Sequence, residues 1–172
     1  MSLVSPAVSP AYREIINRRR RSNRRLSLNL IAFLMPVFAI LASFIIQDVY
    51  PFAGNQTIMS VDCYHQYVPF LVEFRNKVLS GESLFYSWNS GLGMEYYAAF
   101  ANYCSSPLNI FALFFDAKTM PIFIALATML RAGLASMFMS MFLCGEDQGH
   151  KDIVTVAFSC AYALCGWFCT DY

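Results

Sequence analysis

The sequence predicts an all-α integral membrane protein. Three transmembrane helices are expected, with a long outer loop that carries amphipathic interfacial helices. Three observations predict it. First, 58% of the 172 residues are hydrophobic and only 13% are charged, whereas soluble domains carry about a quarter charged residues. A soluble chain this apolar would have little with which to coat its surface. Second, the chain contains uncharged apolar runs long enough to cross a bilayer core, for which about 20 helical residues suffice. Third, residues 1–25 crowd together Arg13, Arg18, Arg19, Arg20, Arg21, Arg24 and Arg25 against the single acid Glu14.

Residues 1–26 read as a basic cytoplasmic tail, with little periodicity over 1–17 and therefore mobile there. Arginine blocks also suit nucleic acid, but no helix-turn-helix pattern precedes the apolar run, so no nucleic-acid partner is expected. Arginines beside a first span stay in the cytoplasm, and anionic lipids attract them further. Residues 27–47 form the first span. The run exceeds the roughly 7–15 apolar residues of a signal peptide, and no clear cleavage site follows. Pro36 is expected to kink this helix.

Residues 48–118 are the outer loop, with six acids and three bases. Within it, Tyr67, Leu71, Phe74 and Val78 repeat at helical spacing, and Gly81 is placed to end the helix. Glu73, Asn76, Lys77 and Ser80 fall on other faces, so this amphipathic helix is expected to lie flat on the outer membrane surface. The aromatic stretch from Phe85 to Tyr103 suits the headgroup level. Pro107 to Phe115 is too short to span and reads as a second interfacial or re-entrant piece.

Residues 119–144 form the second span. Thr128, Ala132, Ser136 and Ser140 repeat at every fourth position, a stripe that admits a close helix neighbour. Residues 145–151 are a cytoplasmic turn, and residues 152–170 a third span that ends outside. Helices with such a stripe and an internal charge expect partners, so the chain reads as the N-terminal piece of a larger protein. Of the six cysteines, Cys144, Cys160, Cys165 and Cys169 act as small hydrophobes in or beside helices. Cys63 and Cys104 fall in the outer loop, where an oxidising exterior permits them to pair. No CxxC pair or zinc spacing occurs.

The stretch Ser60 to Tyr67 is the most informative. Asp62, His65 and Gln66 place a carboxylate, an imidazole and an amide within one turn. Asp62 suits a general base, with His65 as acid, base or phosphate partner. It equally suits a helix N-cap, and spacing alone favours the cap. Arg131 lies at the centre of the second span, where an unpaired charge costs about 2.5–3.5 kcal/mol or more. It needs an acid, a water-filled cavity or an anionic lipid group, and a structural ion pair serves as well as a functional site. Gly91-Leu92-Gly93 lacks a nucleotide fingerprint and marks a turn after Trp88 and Asn89. Asn55-Gln56-Thr57 fits a glycosylation pattern weakly. Glu73, Arg75, Glu82 and Glu95 read as solvated face charges.

Three blocks carry a family resemblance. Asp62 to Phe70 resembles the D-x-Y-x-Q-Y-x-P-F opening of the bacterial YfhO family of membrane proteins. Gly81 to Gly93 resembles its G-x-x-x-x-Y-S-W-N-x-G-L-G block, and Ser106 to Asn109 its S-P-x-N block. They occur in order, and the resemblance covers about residues 27–170. It implies the N-terminal part of a GT-C-like fold in a bacterial cell membrane, from a family whose proteins are several times longer. The implied activity moves a sugar from a polyprenyl-phosphate carrier to a surface polymer such as lipoteichoic acid. By that resemblance Asp62 is the catalytic base for the acceptor hydroxyl, and His65, Gln66, Trp88 and Asn89 position sugar or phosphate. Arg131 joins them as a candidate substrate-binding residue, although a straight helix places it too deep for a headgroup-level phosphate. That leaves Arg75, Lys77 and Lys118 as outer cations. No DxD pair is present, so the sequence assigns no cofactor. The competing function is a non-enzymatic membrane subunit or inactive fragment, such as a partner of a lipid or polymer transporter.

Overall fold

The computed structural model describes residues 10–144 and 153–165. Among the described residues, two long helices, α1 (Pro10–Ile46) and α4 (Met120–Cys144), and the shorter α5 (Ile153–Ala163) carry the architecture. Between α1 and α4 lies a folded loop region with α2 (Val68–Ser80), β1 (Tyr86–Ser87), β2 (Met94–Glu95) and α3 (Tyr96–Ala99). A wide helical turn, Cys63–Tyr67, leads into α2; another, Phe100–Cys104, follows α3.

Helix α1 corrects the expected tail. It runs unbroken from Pro10 for 37 residues, about 55 Å at the usual rise. Pro10 stands at its first position, where a missing N–H costs nothing, and the arginines that follow are good helix formers. The basic segment from Pro10 onward is thus helical and continuous with the apolar run; residues 1–9 of the expected tail lie outside the described residues. Among the described residues, two helices are long and apolar enough to cross a membrane, Arg25–Ile46 within α1 and Met120–Leu143 within α4. The described part of α5 has 11 residues, shorter than a span. The rest of the expected third span and the 145–151 turn lie outside the described residues.

α4 packs against both α1 and α5. The small-residue stripe makes this possible: Ala132, Ser136 and Ser140 are all buried. The Ser136 hydroxyl lies 3.6 Å from Cys160 Sγ on α5, and Ser140 Oγ donates to Asn29 Oδ1 on α1 at 3.5 Å. Small side chains let the backbones approach, and their hydroxyls are satisfied across the interface. Gly133 is closer still. A Cβ there would fall 2.8 Å from the Phe33 ring and 2.9 Å from Val37 Cγ2. Gly133→Leu is expected to push α1 off α4 at a cost of about 1–3 kcal/mol, read as a lower unfolding temperature of the protein in detergent. An unchanged transition would mean that the two helices do not meet here.

The loop region has its own core. Leu71 and Phe74 of α2 pack with Tyr96, Ala99, Cys104, Ala112 and the first turns of α4. The helix expected to lie flat on a membrane therefore buries its apolar face against protein. That face is also rotated from the expected one. Val78 is exposed, while Glu73 and Lys77 are buried. The reason is polar satisfaction: Lys77 Nζ lies 3.7 Å from Glu73 Oε1 and donates to the Tyr86 carbonyl at 2.8 Å. Gly81 ends α2 as expected, in a left-handed conformation with φ 71°. Glu82 N–H then bonds the Lys77 carbonyl at 2.9 Å, the double closure typical of such ends.

β1 and β2 pair antiparallel, Tyr86 with Glu95 and Ser87 with Met94, and hold the Trp88–Gly93 turn between them. Gly91 and Gly93 sit at φ 61° and 101°, which side-chain-bearing residues rarely adopt. Pro107–Phe114 forms a 3-10 helix that buries Asn109 and Ala112. Asp116 starts α4: its Oδ1 accepts from the Thr119 N–H at 2.9 Å and the Thr119 hydroxyl at 2.6 Å. The Thr119 hydroxyl oxygen in turn accepts from Asp116 N–H at 2.9 Å, a reciprocal cap. These bonds from Thr119 hold the Asp116 carboxyl below its ordinary range.

Cys63 and Cys104 are both free thiols, buried in the loop core; the permitted disulfide is not formed. Burial pushes the Cys104 thiol up to about 11, opposed by its contact with the Tyr96 hydroxyl, and burial raises Cys63 as well. A folded value above the unfolded one favours the neutral thiol. That contribution is present below the ordinary thiol value of 9.0 and is lost as pH rises through about 11. Alkylation of the folded protein at pH 9 is accordingly expected to spare Cys104, and labelling to rise towards pH 11. Peptide mass spectrometry reads it; labelling at pH 9 as fast as in denaturant would contradict the burial.

Candidate functional site

Asp62 opens the wide turn Cys63–Tyr67 and is exposed. Its side chain makes no capping hydrogen bond, so the N-cap expectation fails. The cause is backbone geometry. A cap residue sits in the extended region and folds its side chain back onto the helix, but Asp62 is already helical at φ −67°, ψ −31°. Just before it, Val61 holds φ 44°. A β-branched residue there is strained by on the order of 1–3 kcal/mol, and such strain concentrates at functional sites. The His65 amide bonds the Val61 carbonyl at 3.0 Å and closes this turn. The His65 side chain is exposed, edge-on to Tyr64 with centroids 5.2 Å apart.

The opposite side of the same turn faces inward. Cys63 and Tyr67 line an open cavity of about 600 Å³ between the loop region and α4. Arg131 lines it too. A guanidinium Nη of Arg131 donates to Asn109 Oδ1 at 2.7 Å. Asn109 Nδ2 donates to the Tyr103 carbonyl at 3.1 Å, and the Tyr103 hydroxyl donates to Gln66 Oε1 at 2.6 Å. Tyr103 is fixed between Tyr67, edge-on at 4.8 Å, and Phe70 at 5.1 Å. Gln66 of the first motif block and Asn109 of the third are thereby tied through one tyrosine to the charge within α4.

Arg131 lies about 16 Å along α4 from its start, and the 3-10 segment meets it there through Asn109. Lys77, expected among the outer cations, is instead held in the Glu73 pair.

The second block is placed apart from the cavity. Trp88 is 77% exposed, with its ring edge-on to Tyr86 at 4.9 Å. Asn89 Nδ2 donates to Glu73 Oε2 at 3.2 Å, and the Ser87 hydroxyl donates to Glu73 Oε1 at 2.5 Å. The Asn89 amide is thus committed to holding its own loop. Of the expected site residues, only Arg131 lines the cavity, and Gln66 is linked to it indirectly through Tyr103 and Asn109. Asp62, His65, Gln66, Trp88 and Asn89 do not line it, although Asp62 directly precedes Cys63, which does.

Tyr103 is the residue that sequence reasoning did not single out; Asn109 stood only within the third block, and Glu73, read as a solvated face charge, is buried. Among the described residues, no three His, Cys, Asp or Glu side chains gather into a metal-binding group.

The sequence matches the family described as bacterial membrane protein YfhO over residues 32–171. No curated relative and no solved structure is similar enough to match. The match spans most of the sequence, including all three motif blocks and both apolar spans apart from the first turns of α1's, so the chain belongs to the YfhO family of bacterial membrane proteins.

Proposed function

We propose that this chain forms part of a membrane glycosyltransferase that moves a sugar from a polyprenyl-phosphate carrier onto a surface polymer such as lipoteichoic acid. The observation that carries the reading is the placement of Asp62. It is an exposed carboxylate with no capping role, behind a strained Val61, on a turn whose inner side lines a cavity containing a cation. Asp62 takes the proton of the acceptor hydroxyl, whose oxygen attacks the anomeric carbon from the face opposite the phosphate. The glycosidic bond to phosphate breaks, and the carrier phosphate leaves with the bonding electron pair. Arg131 offsets that developing charge, as fixed donors do best where charge appears. The exposed Trp88 ring offers a face to a sugar, and His65 lies within the turn that carries Asp62. Gln66 and Asn89 act by fixing their loops.

Topology follows from the arginines. The basic end of α1 stays cytoplasmic and the loop region faces outward, with a third span over residues 152–170. The test is sugar transfer in membranes carrying the longest form of the protein, wild type against Asp62→Asn. Transfer by wild type alone supports the enzyme. Equal transfer by both removes Asp62 from the chemistry, and transfer by neither leaves the non-enzymatic subunit as the better reading.

A further inference from the structure

We infer that the 3-10 segment Pro107–Phe114 dips into the bilayer leaflet on the loop side and presents Ile110, Phe111 and Phe114 to lipid acyl chains. The inference rests on α1 and α4 spanning the bilayer and is independent of sugar transfer.

Depth is the first argument. Contacts between the two spans set their register. Ser140 meets Asn29, a Cβ on Gly133 would meet Phe33 and Val37, and Ala125 and Met129 pack with Phe44. The apolar run of α1 ends at Ile46, so that end is level with the second turn of α4. Arg131 lies between Met129 and Gly133, hence level with the middle of the stretch from Val37 to Phe44. That is roughly 10 Å inside the end of the apolar run at the helical rise. The Arg131 side chain tilts back toward the start of α4, but it is shorter than this depth. Asn109 accepts from its guanidinium at 2.7 Å, so Asn109 is held inside the level of Ile46. At the far end of the segment, the Phe115 ring packs on Phe123 at 5.4 Å, back near the level of Ile46. The segment therefore slopes outward from Asn109 to Phe115.

The two sides of the segment are the second argument. Asn109 and Ala112 are buried, and Ser106 and Asn109 line the cavity against α4. Ile110, Phe111 and Phe114 are 57%, 51% and 81% exposed. Water is a poor neighbour for such a cluster, and acyl chains are a matched one. The cluster adjoins α4, which is itself apolar enough to cross the membrane. The backbone is the third argument, because polar groups at this depth need partners within the protein. Asn109 N–H bonds the Ser106 carbonyl at 2.8 Å and Phe115 N–H the Ala112 carbonyl at 3.0 Å. The Asn109 side-chain amide donates to the Tyr103 carbonyl at 3.1 Å. One wall of the cavity is thereby carried into the leaflet with its back to lipid.

The experiment is electron paramagnetic resonance on the full chain in phosphatidylcholine nanodiscs. A ketone-bearing amino acid replaces Ile110, Phe111 or Phe114 and is spin-labelled through an oxime, which leaves the native cysteines untouched. These side chains are exposed, and unfolding temperature checks each labelled protein against wild type. Labels at Phe38 and Ile46, both exposed on α1, calibrate depth. Labels at 110 and 111 should collide more with oxygen, and less with a water-soluble nickel chelate, than the label at 46. They should also lie deeper than the label at 114, by up to about 8 Å for an upright 3-10 segment. Equal depths at all three positions, shallower than Ile46, would make the segment a flat interfacial one and overturn the dip. Shielding from both oxygen and chelate would place protein on this face, a second copy or another part of the chain, and overturn the lipid contact. A label at 38 open to the chelate would overturn the spans and this inference with them. The depths stand whether or not the protein transfers sugar, so failure of the transferase reading leaves this one intact.

Discussion

Asp62→Asn is expected to lower sugar transfer by about 10²–10⁴-fold, the usual contribution of a positioned general base, at unchanged membrane abundance. The substitution keeps size and removes only the ability to accept a proton. Because the Asp62 side chain caps nothing, little stability should be lost with it, and this separates catalysis from folding. Had Asp62 been an N-cap, asparagine would have replaced it almost without cost, so stability alone would not tell the roles apart. Transfer rate does. Retained transfer by Asp62→Asn would remove the base from the mechanism, whatever the protein's stability.

The second large effect concerns the buried pair of Glu73 and Lys77, whose side chains are 9% and 5% exposed. Glu73→Leu removes the acceptor for Ser87 and Asn89 and leaves the buried Lys77 ammonium with the more exposed Glu82 carboxylate, 3.4 Å away, as its remaining ion partner. Breaking a buried pair on one side costs about 3–5 kcal/mol, a fall in unfolding temperature on the order of 10 °C. Glu73→Leu/Lys77→Met removes both charges and should lose less than Glu73→Leu alone. The Trp88 turn should also loosen in both variants, because its two side-chain anchors to α2 are gone. Limited proteolysis between Ser87 and Gly93 reads this second effect. A double variant less stable than the single one would show that the pair is not the source of the loss.

Much of the helical frame was legible because its signals are local. The two long apolar runs, the stripe from Ala132 to Ser140 and the stop at Gly81 each depend on neighbours a few residues apart. The start of α1 was misjudged because arginines give no hydrophobic period, although they form helix well. The site was less legible because its contacts are long-range. Tyr103 meets Gln66 across 37 positions and Arg131 meets Asn109 across 22, separations that no periodicity encodes. Glu73 and Lys77 read as solvated because charge usually is, and their mutual pairing, Glu82 and the partners supplied by the Tyr86–Asn89 segment together make their burial tolerable. The Asp62 cap failed on a backbone angle that residue type does not reveal.

Helix α1 has a mechanical consequence. Its arginines and its apolar run share one continuous helix with Pro36 inside it, and the loop region attaches just beyond its end at Asp48. Helices resist axial compression, so displacement at one end of α1 is felt at the other. Wherever lipid headgroups on one leaflet grip the guanidinium groups, they fix the height of Asp62 and the cavity relative to the far leaflet. Headgroup contact with the basic segment and the depth of the loop region are therefore coupled through α1.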